Sequence, residues 1–143
     1  MEKASEKETA MLKAKDIMTE DTISVREETP IYEAVELLVK HNISGVPVVE
    51  DDMTLVGVLS EKDVIVLFDG EGGNEEKAVS DFMTQPAIYF EEDDGVRNVC
   101  DFLVKNIFRR VPIISKKKLV GIISIRDVLE CTLQRRHGSA GTG

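Results

Sequence analysis

The sequence predicts a mixed α/β fold built from two tandem β-α-β-β-α repeats. Asp16-Ile-Met-Thr19 recurs 65 residues later as Asp81-Phe-Met-Thr84, and the segment that begins at Leu55 recurs from Leu119. Within each copy, one amphipathic helical pattern is followed by two apolar segments joined by a short polar turn. Self-similarity at a fixed spacing is the signature of an internal duplication.

Each copy begins with a short segment of β-forming residues, Thr22–Val25 in the first copy and Ala87–Phe90 in the second. A helix follows, because apolar residues recur there at i, i+3, i+4, i+7 and i+8. These stripes are Ile31, Ala34, Val35, Leu38 and Val39, and Val96, Val99, Cys100, Leu103 and Val104. Thr29 is the predicted N-cap of the first helix, with Pro30 in its first turn.

Two apolar strands and a last helix complete each copy. The predicted strands are Val46–Val49, Leu55–Leu59, Val111–Ser115 and Leu119–Ile123, and the last helices begin near Ser60 and Ser124. About 50 residues bury little apolar surface, so we expect the copies to pack together. The predicted organisation is a charged N-terminal segment 1–14, repeat 1 at 15–68, a flexible linker at 69–79, repeat 2 at 80–134 and a disordered tail at 135–143.

Composition narrows the function classes. A formal net charge of −9 disfavours nucleic acid as a partner, and the two cysteines, which lack CxxC spacing, suggest free thiols in a reducing compartment. The chain has no apolar run of roughly 20 residues and no apolar segment near its N-terminus that resembles a signal peptide. We therefore expect a cytoplasmic protein without a membrane partner. Basic residues are concentrated at Lys116-Lys-Lys118 and Arg109-Arg110. We interpret this concentration as a charged turn between strands rather than a nucleic-acid patch.

No pattern of catalytic residues is visible. The sequence contains neither a Ser/His/Asp set nor a metal-ligand cluster, and it has no glycine-rich phosphate loop. We expect no enzymatic activity, no catalytic residue, no metal site and no obligatory cofactor.

The motif Gly-x-x-Ser-x-x-Asp occurs twice, as Gly57-Val-Leu-Ser-Glu-Lys-Asp63 and Gly121-Ile-Ile-Ser-Ile-Arg-Asp127. Each copy joins a strand to a helix start, where free N–H groups suit a phosphate and a first-turn carboxylate can accept hydrogen bonds from ribose hydroxyls. Ser-x-x-Asp is also a capping box that needs no ligand. The repetition of the motif at equivalent places favours the ligand interpretation.

From Asp16 to about Leu133 the chain resembles a pair of cystathionine-β-synthase (CBS) domains, also called a Bateman module. The resemblance rests on Asp-x-Met-Thr, the amphipathic helix, Val-Pro-Val-Val or Val-Pro-Ile-Ile, and Gly-x-x-Ser-x-x-Asp, in this order and twice. It implies two three-stranded sheets related by a pseudo-two-fold axis. It also implies regulatory binding of AMP, ADP, ATP, S-adenosylmethionine or NAD in clefts between the copies.

Two candidate sites follow from the resemblance. In the first, Asp127 holds the ribose beside Ser124; Ile122, Ile23, Ile43 and Ser44 surround the base; and Arg109, Arg110 and Arg126 meet phosphate. In the second, Asp63, Ser60 and Val58 face Ile88 and Phe108, with Lys62 and Arg109 toward the phosphates. Ser44-Gly45 stands where the second copy has Arg109-Arg110, so the Asp127 site ranks first.

Val64-Ile-Val-Leu-Phe68 is apolar on every side, a pattern typical of a helix covered all round. This pattern and the resemblance both predict a homodimer, whose ligand-bound conformation an unidentified regulated protein could recognise. The alternative is a dimerisation or docking module that binds no ligand, with its clefts filled by side chains such as Phe108 or Met18.

Overall fold

The computed structural model describes residues 12–70 and 72–142. The helices are α1 (Ala14–Ile17), α2 (Ile31–His41), α3 (Glu61–Val64), α4 (Val96–Lys105) and α5 (Ile125–Thr142), with 3₁₀ turns at Ile65–Asp69 and Val79–Asp81. The strands are β1 (Val25–Arg26), β2 (Gly45–Val49), β3 (Leu55–Ser60), β4 (Phe90–Glu91), β5 (Arg110–Ser115) and β6 (Lys118–Ser124).

The chain divides into two compact units that do not follow the sequence repeats. The described parts of unit 1 are 12–22, 89–115 and 120–142, and unit 2 comprises Ile23–Ile88 and Lys116–Leu119. The Asp-x-Met-Thr segment of the first repeat therefore belongs to the unit that holds the sheet of the second repeat. Its twin, which begins at Asp81, stays with the first sheet.

Each unit has one three-stranded sheet, β1-β2-β3 in unit 2 and β4-β5-β6 in unit 1, as the repeated pattern predicts. The first two strands of each sheet are parallel, with Val25 opposite Val48 in one and Phe90 opposite Ile113 in the other. Strands β2 and β3 are antiparallel. The opening strands are shorter than predicted and begin later, because pairing starts only at Val25 and Phe90.

The helical stripes pack on these sheets along a narrower face than the sequence indicates. Ile31, Ala34 and Leu38 are buried in unit 2, and Val96, Val99 and Leu103 are buried in unit 1. By contrast, Val39 is 75% exposed and Val104 is 84% exposed, and Cys100 is only half-buried. A helix that lies against one sheet buries roughly one third of its circumference, so the outer edge of a broad apolar stripe stays uncovered.

Helix ends also differ from expectation. Pro30 occupies the N-cap position of α2, whereas the hydroxyl of Thr29 accepts a hydrogen bond of 3.0 Å from the N–H of Arg26. The helix after Ser60 has four α-helical residues and continues as the 3₁₀ turn Ile65–Asp69. Its counterpart α5 reaches Thr142, so the backbone is helical where the sequence predicted a disordered tail. No proline interrupts that segment.

The basic turn of the second repeat packs in unit 2. Residues Lys116–Leu119 lie beside the start of β3, where the N–H of Leu55 donates to the carbonyl of Lys117 at 3.0 Å. Lys118 Nζ lies 3.0 Å from Asp52 Oδ2 and donates to the Asp52 carbonyl at 2.9 Å. Two of the lysines therefore take part in contacts within the fold.

Candidate functional site

In unit 1 the second Ser-x-x-Asp element forms a capping box. The N–H of Ser124 donates to Asp127 Oδ2 at 2.8 Å, and the N–H of Asp127 donates to Ser124 Oγ at 3.2 Å. The serine hydroxyl also donates to the same carboxylate oxygen at 3.1 Å. The N–H groups of Ser124 and Asp127 are thus satisfied without a ligand, as the capping-box interpretation of the motif predicts. Both side chains remain half-buried rather than enclosed.

The other carboxylate oxygen of Asp127 contacts the Asp-x-Met-Thr motif. Thr19 Oγ1 donates to Asp127 Oδ1 at 3.1 Å. The Thr19 backbone pairs with Ile122 on β6, through N–H···O bonds of 2.8 and 2.9 Å. Two motifs that lie 108 residues apart therefore form one polar cluster in unit 1.

Unit 2 repeats this arrangement. The N–H of Ser60 donates to Asp63 Oδ2 at 2.9 Å, and the N–H of Asp63 donates to Ser60 Oγ at 3.3 Å. Thr84 Oγ1 donates to Asp63 at 3.2 and 3.3 Å, and its backbone pairs with Val58 at 2.9 and 3.1 Å. In the sequence, Thr19 and Thr84 serve only to mark the duplication. Their recurrence was the signal that could have identified them as site residues.

The glycine of each motif permits this close approach. A Cβ added at Gly121 would lie 2.5 Å from Met18 Sδ and 3.0 Å from the Thr19 carbonyl oxygen. A Cβ at Gly57 would lie 2.9 Å from the Thr84 carbonyl oxygen. The Asp-x-Met-Thr segment lies directly on the strand, so only a residue without a side chain fits beneath it.

Arg110 places positive charge near Asp127. Its Nε is buried and has no hydrogen-bond partner among the described residues. Burial lowers the pKa of Arg110, while the negative charge of Asp127 opposes that shift. Arg126 is highly exposed and lies 3.7 Å from Glu130. At the position equivalent to Arg110, unit 2 has Gly45, which is buried in β2 and carries no charge.

The units divide the predicted site residues as follows. Unit 1 contains Asp127, Ser124, Ile122, Arg109, Arg110, Arg126 and Phe108. Unit 2 contains Asp63, Ser60, Val58, Lys62, Ile88, Ile23, Ile43 and Ser44. Ile122 is 7% exposed and thus mainly a core residue of β6, whereas Val58 is half-buried. The assignments of Ile23, Ile43 and Ser44 to the Asp127 site, and of Phe108 and Arg109 to the Asp63 site, join residues of different units and remain predictions.

Phe108, which the docking alternative placed in a cleft, packs within unit 1. Its ring stacks on Phe102 with centroids 5.6 Å apart, and Phe102 meets Phe90 edge-on at 5.7 Å. Phe108 nevertheless remains 36% exposed.

In the part of the chain that the structure describes, no group of three potential metal-ligating side chains is found. None of the described helices is long and apolar enough to cross a bilayer.

Comparison with known proteins identifies the family. The CBS domain model matches residues 14–70 and 79–133, so the chain belongs to the CBS domain family and carries two such domains. MJ1225 of Methanocaldococcus jannaschii is 34% identical over 117 residues, which are 81% of this chain and 41% of that protein. The inosine-5'-monophosphate dehydrogenase of the same organism is 31% identical over 122 residues, 85% of this chain, but the match covers only 24% of the enzyme.

Solved structures extend this comparison. CBSX2 of Arabidopsis thaliana, solved in complex with AMP, has a TM-score of 0.77 at 30% identity, covering 87% of this chain and 98% of that one. The CBS domain pair of MJ0100, in complex with 5'-methylthioadenosine and S-adenosyl-L-methionine, has a TM-score of 0.72 at 26% identity, with coverage of 87% and 98%. Relatives of this chain therefore bind adenosyl compounds.

Proposed function

We propose that this chain is a regulatory module that binds an adenosyl ligand, with the principal site at Asp127. The observation that carries the proposal is the cluster of Asp127, Thr19 and Arg110 in unit 1. The carboxylate is half-buried, and the guanidinium near it has a buried N–H without an acceptor among the described residues. A ribose could bond the carboxylate, and a phosphate could satisfy the guanidinium.

The ligand class is supported by the relatives. CBSX2 is solved with AMP, and MJ0100 with methylthioadenosine and S-adenosylmethionine. Both structures are matched over 98% of their length, so the likeness includes both CBS domains. AMP is the first compound to test because Arg110 favours an anionic group; ADP, ATP, S-adenosylmethionine and NAD complete the class.

The proposal assigns unequal roles to the two sites. Asp63 bonds a serine and a threonine equivalent to those that Asp127 bonds. Its unit has Gly45 where unit 1 has Arg110, so it lacks the guanidinium. Lys62 and Arg109 are the predicted phosphate contacts there, and Lys62, the one that lies in unit 2, has an exposed side chain. An exposed, flexible and hydrated ammonium group binds a phosphate less strongly than a half-buried guanidinium does. We expect the Asp63 site to bind AMP more weakly.

The proposal also includes a regulatory rather than catalytic role in the cytoplasm, with no nucleic-acid or membrane partner. Ligand binding would stabilise one conformation that a second protein recognises. The module would act as a homodimer, because both units carry exposed apolar helix faces, with Phe68 92% exposed and Val104 84% exposed. Analytical ultracentrifugation tests this directly, since a mass of one chain at all concentrations would contradict it.

The alternative function is a docking module that binds no ligand. Both capping boxes are complete, and this observation favours it. The N–H groups that already have acceptors are those of Ser60, Asp63, Ser124 and Asp127. A thermal-shift panel with AMP, ADP, ATP, S-adenosylmethionine and NADH separates the two functions. At a hundredfold excess over its dissociation constant, a ligand adds about 2.7 kcal/mol to the free energy of unfolding. No shift with any compound would support the docking alternative.

Asp127→Ala also removes the capping-box carboxylate that accepts from the Ser124 N–H, at a cost of about 1 kcal/mol. The variant should therefore be judged by its ligand-dependent shift and not by its melting temperature alone. We expect that shift to be largely lost. The matched Asp63→Ala variant loses an equivalent cap and should keep most of the shift with AMP.

A further inference from the structure

Residues 12–19 precede the first sheet in the sequence, yet they pack in unit 1 with the second sheet. We call this segment the strap. The start of the strap is bonded to the turn between β4 and α4. The N–H of Ala14 donates to the Asp94 carbonyl at 2.8 Å, and the N–H of Lys15 donates to the Glu92 carbonyl at 3.0 Å. We call these two N–H groups the strap amides.

The other end of the strap contacts the proposed ligand site. Thr19 pairs with Ile122 on β6, and its hydroxyl donates to Asp127 at 3.1 Å. Between the two ends, Ala14 is completely buried and Met18 packs against the core of unit 1. The strap therefore joins the turn between β4 and α4 to the carboxylate of Asp127.

Non-covalent contacts hold the strap in unit 1. The chain passes into unit 2 at Ile23 and returns to unit 1 at Tyr89, so no short covalent connection joins the strap to the sheet beneath it. Its helix α1 has four residues, and an isolated helix of that length is unstable in water. Segments with few contacts of their own open locally at a lower free energy than the whole domain. We therefore expect the strap to open and close while the sheet stays intact.

We propose that the ligand at Asp127 controls how tightly the strap is held, and that this coupling is the conformational change by which the module signals. The inference rests on the function proposed above and adds its mechanism. Closing the strap brings the Thr19 hydroxyl to Asp127 and fixes the carboxylate in the orientation in which it accepts a ribose hydroxyl. A bound ligand in turn holds the carboxylate where Thr19 bonds it. Because coupling between two binding events is reciprocal, the ligand closes the strap to the same extent that the closed strap favours the ligand.

The second repeat provides a matched control in unit 2. The equivalent bonds run from the N–H of Val79 to the Thr29 carbonyl at 2.9 Å and from the N–H of Ser80 to the Glu27 carbonyl at 3.0 Å. We call these two N–H groups the control amides. They have the same local bonding as the strap amides, but they lie in the unit that holds Asp63 rather than Asp127.

Amide hydrogen exchange followed by NMR tests the coupling in the Asp63→Asn variant, so that AMP occupies the Asp127 site. Saturating AMP should slow exchange of the strap amides by about tenfold, a factor typical of coupling between sites, and change exchange of the control amides by less than about twofold. The strap amides lie at the end of the strap that is bonded to the turn between β4 and α4, away from Thr19. Their slowing therefore reports closure of the strap rather than contact with AMP.

A disulfide that fixes the strap provides the second test. Lys13 and Gly95 are partners in an antiparallel bridge, where Cα atoms lie about 4.5–5.5 Å apart, a distance that a disulfide spans. In the oxidised Lys13→Cys/Gly95→Cys variant, with the bond verified by peptide mapping, the strap amides should exchange slowly without AMP, and AMP should slow them no further. The oxidised form should bind AMP at least as tightly as the reduced form.

Three results would contradict these expectations. Equal slowing of the strap and control amides, or slowing of neither although AMP binds, would overturn the coupling and leave the proposed function intact. Weaker binding of AMP by the oxidised than by the reduced form would overturn the coupling as well. No binding of AMP in calorimetry would refute the proposed function and the coupling together.

Discussion

Thr19 Oγ1 donates a hydrogen bond of 3.1 Å to Asp127 Oδ1, and in the other unit Thr84 bonds Asp63 in the same way. The threonine of each Asp-x-Met-Thr motif thus contacts the aspartate of a Gly-x-x-Ser-x-x-Asp motif from the opposite repeat. The two most recognisable motifs of the sequence form a single site in each unit.

Thr19→Val tests the role of this hydrogen bond. Valine keeps the shape of threonine and removes the hydroxyl, so the free energy of unfolding should fall by about 1 kcal/mol. The carboxylate also loses the partner that fixes its orientation, and AMP affinity should fall. Urea denaturation and calorimetric titration measure the two effects. Thr84→Val is the matched control; it should cost similar stability but change AMP affinity less.

Arg110→Gln tests the assignment of the guanidinium to an anionic group. Hydrogen bonds to charged groups contribute about 1.5–3 kcal/mol, so AMP affinity should fall by about tenfold to a hundredfold. Adenosine and 5'-methylthioadenosine lack the phosphate and should bind equally to wild type and variant. Isothermal titration calorimetry with all three compounds separates the effects. An equal loss for all three would show that Arg110 supports the fold rather than the phosphate.

Gly57→Ala and Gly121→Ala test the close packing of Met-Thr segments on the strands. Both substitutions should destabilise the protein, by about 1–3 kcal/mol, because the added methyl group meets atoms closer than van der Waals distance. The obstacle at Gly121 is chiefly the flexible Met18 side chain, whereas at Gly57 it is the Thr84 carbonyl. In double-mutant cycles, Met18→Ala should therefore offset part of the cost of Gly121→Ala. Met83→Ala should offset less of the cost of Gly57→Ala.

The ion pair between Asp52 and Lys118 predicts a pH dependence of stability. Hydrogen bonds from Thr54 and from Lys118 hold the pKa of Asp52 well below its usual range. Because the folded-state pKa is depressed, the stabilisation is fully present above the unfolded value of about 3.9 and is lost as pH falls below it. Asp52→Asn should weaken the decline in unfolding free energy between about pH 5 and pH 3. Lys118→Met should also weaken this decline. An unchanged pH dependence of the free energy of unfolding in both variants would contradict the role of the Asp52–Lys118 ion pair.

The sequence was sufficient for the repeats, the sheets and the position of both Ser-x-x-Asp elements, because local periodicity and motif spacing determine them. It did not reveal that Thr19 lies on the strand of the other repeat, since that contact joins residues far apart in the chain. The exposure of Val39 and Val104 was also missed, because helical periodicity gives the direction of a stripe but not the width of the surface that covers it. Helix α3 is much shorter than α5, although the two helices begin at equivalent residues. The two copies differ in sequence beyond this point: Gly70 follows the 3₁₀ turn in unit 2, where the second copy has Gln134.

Calorimetric titration of AMP into Asp63→Asn and into the Asp63→Asn/Asp127→Asn double variant decides whether Asp127 holds the principal binding site. Asparagine retains an oxygen for the helix cap and an amide for the threonine hydroxyl, so the fold should persist. We predict that Asp63→Asn binds AMP with nearly wild-type affinity and that the double variant binds at least about tenfold more weakly, a loss of about 1.4 kcal/mol. Equal affinity of the two variants for AMP would contradict the placement of the principal site at Asp127. No binding of AMP by either variant or by wild type would contradict it as well.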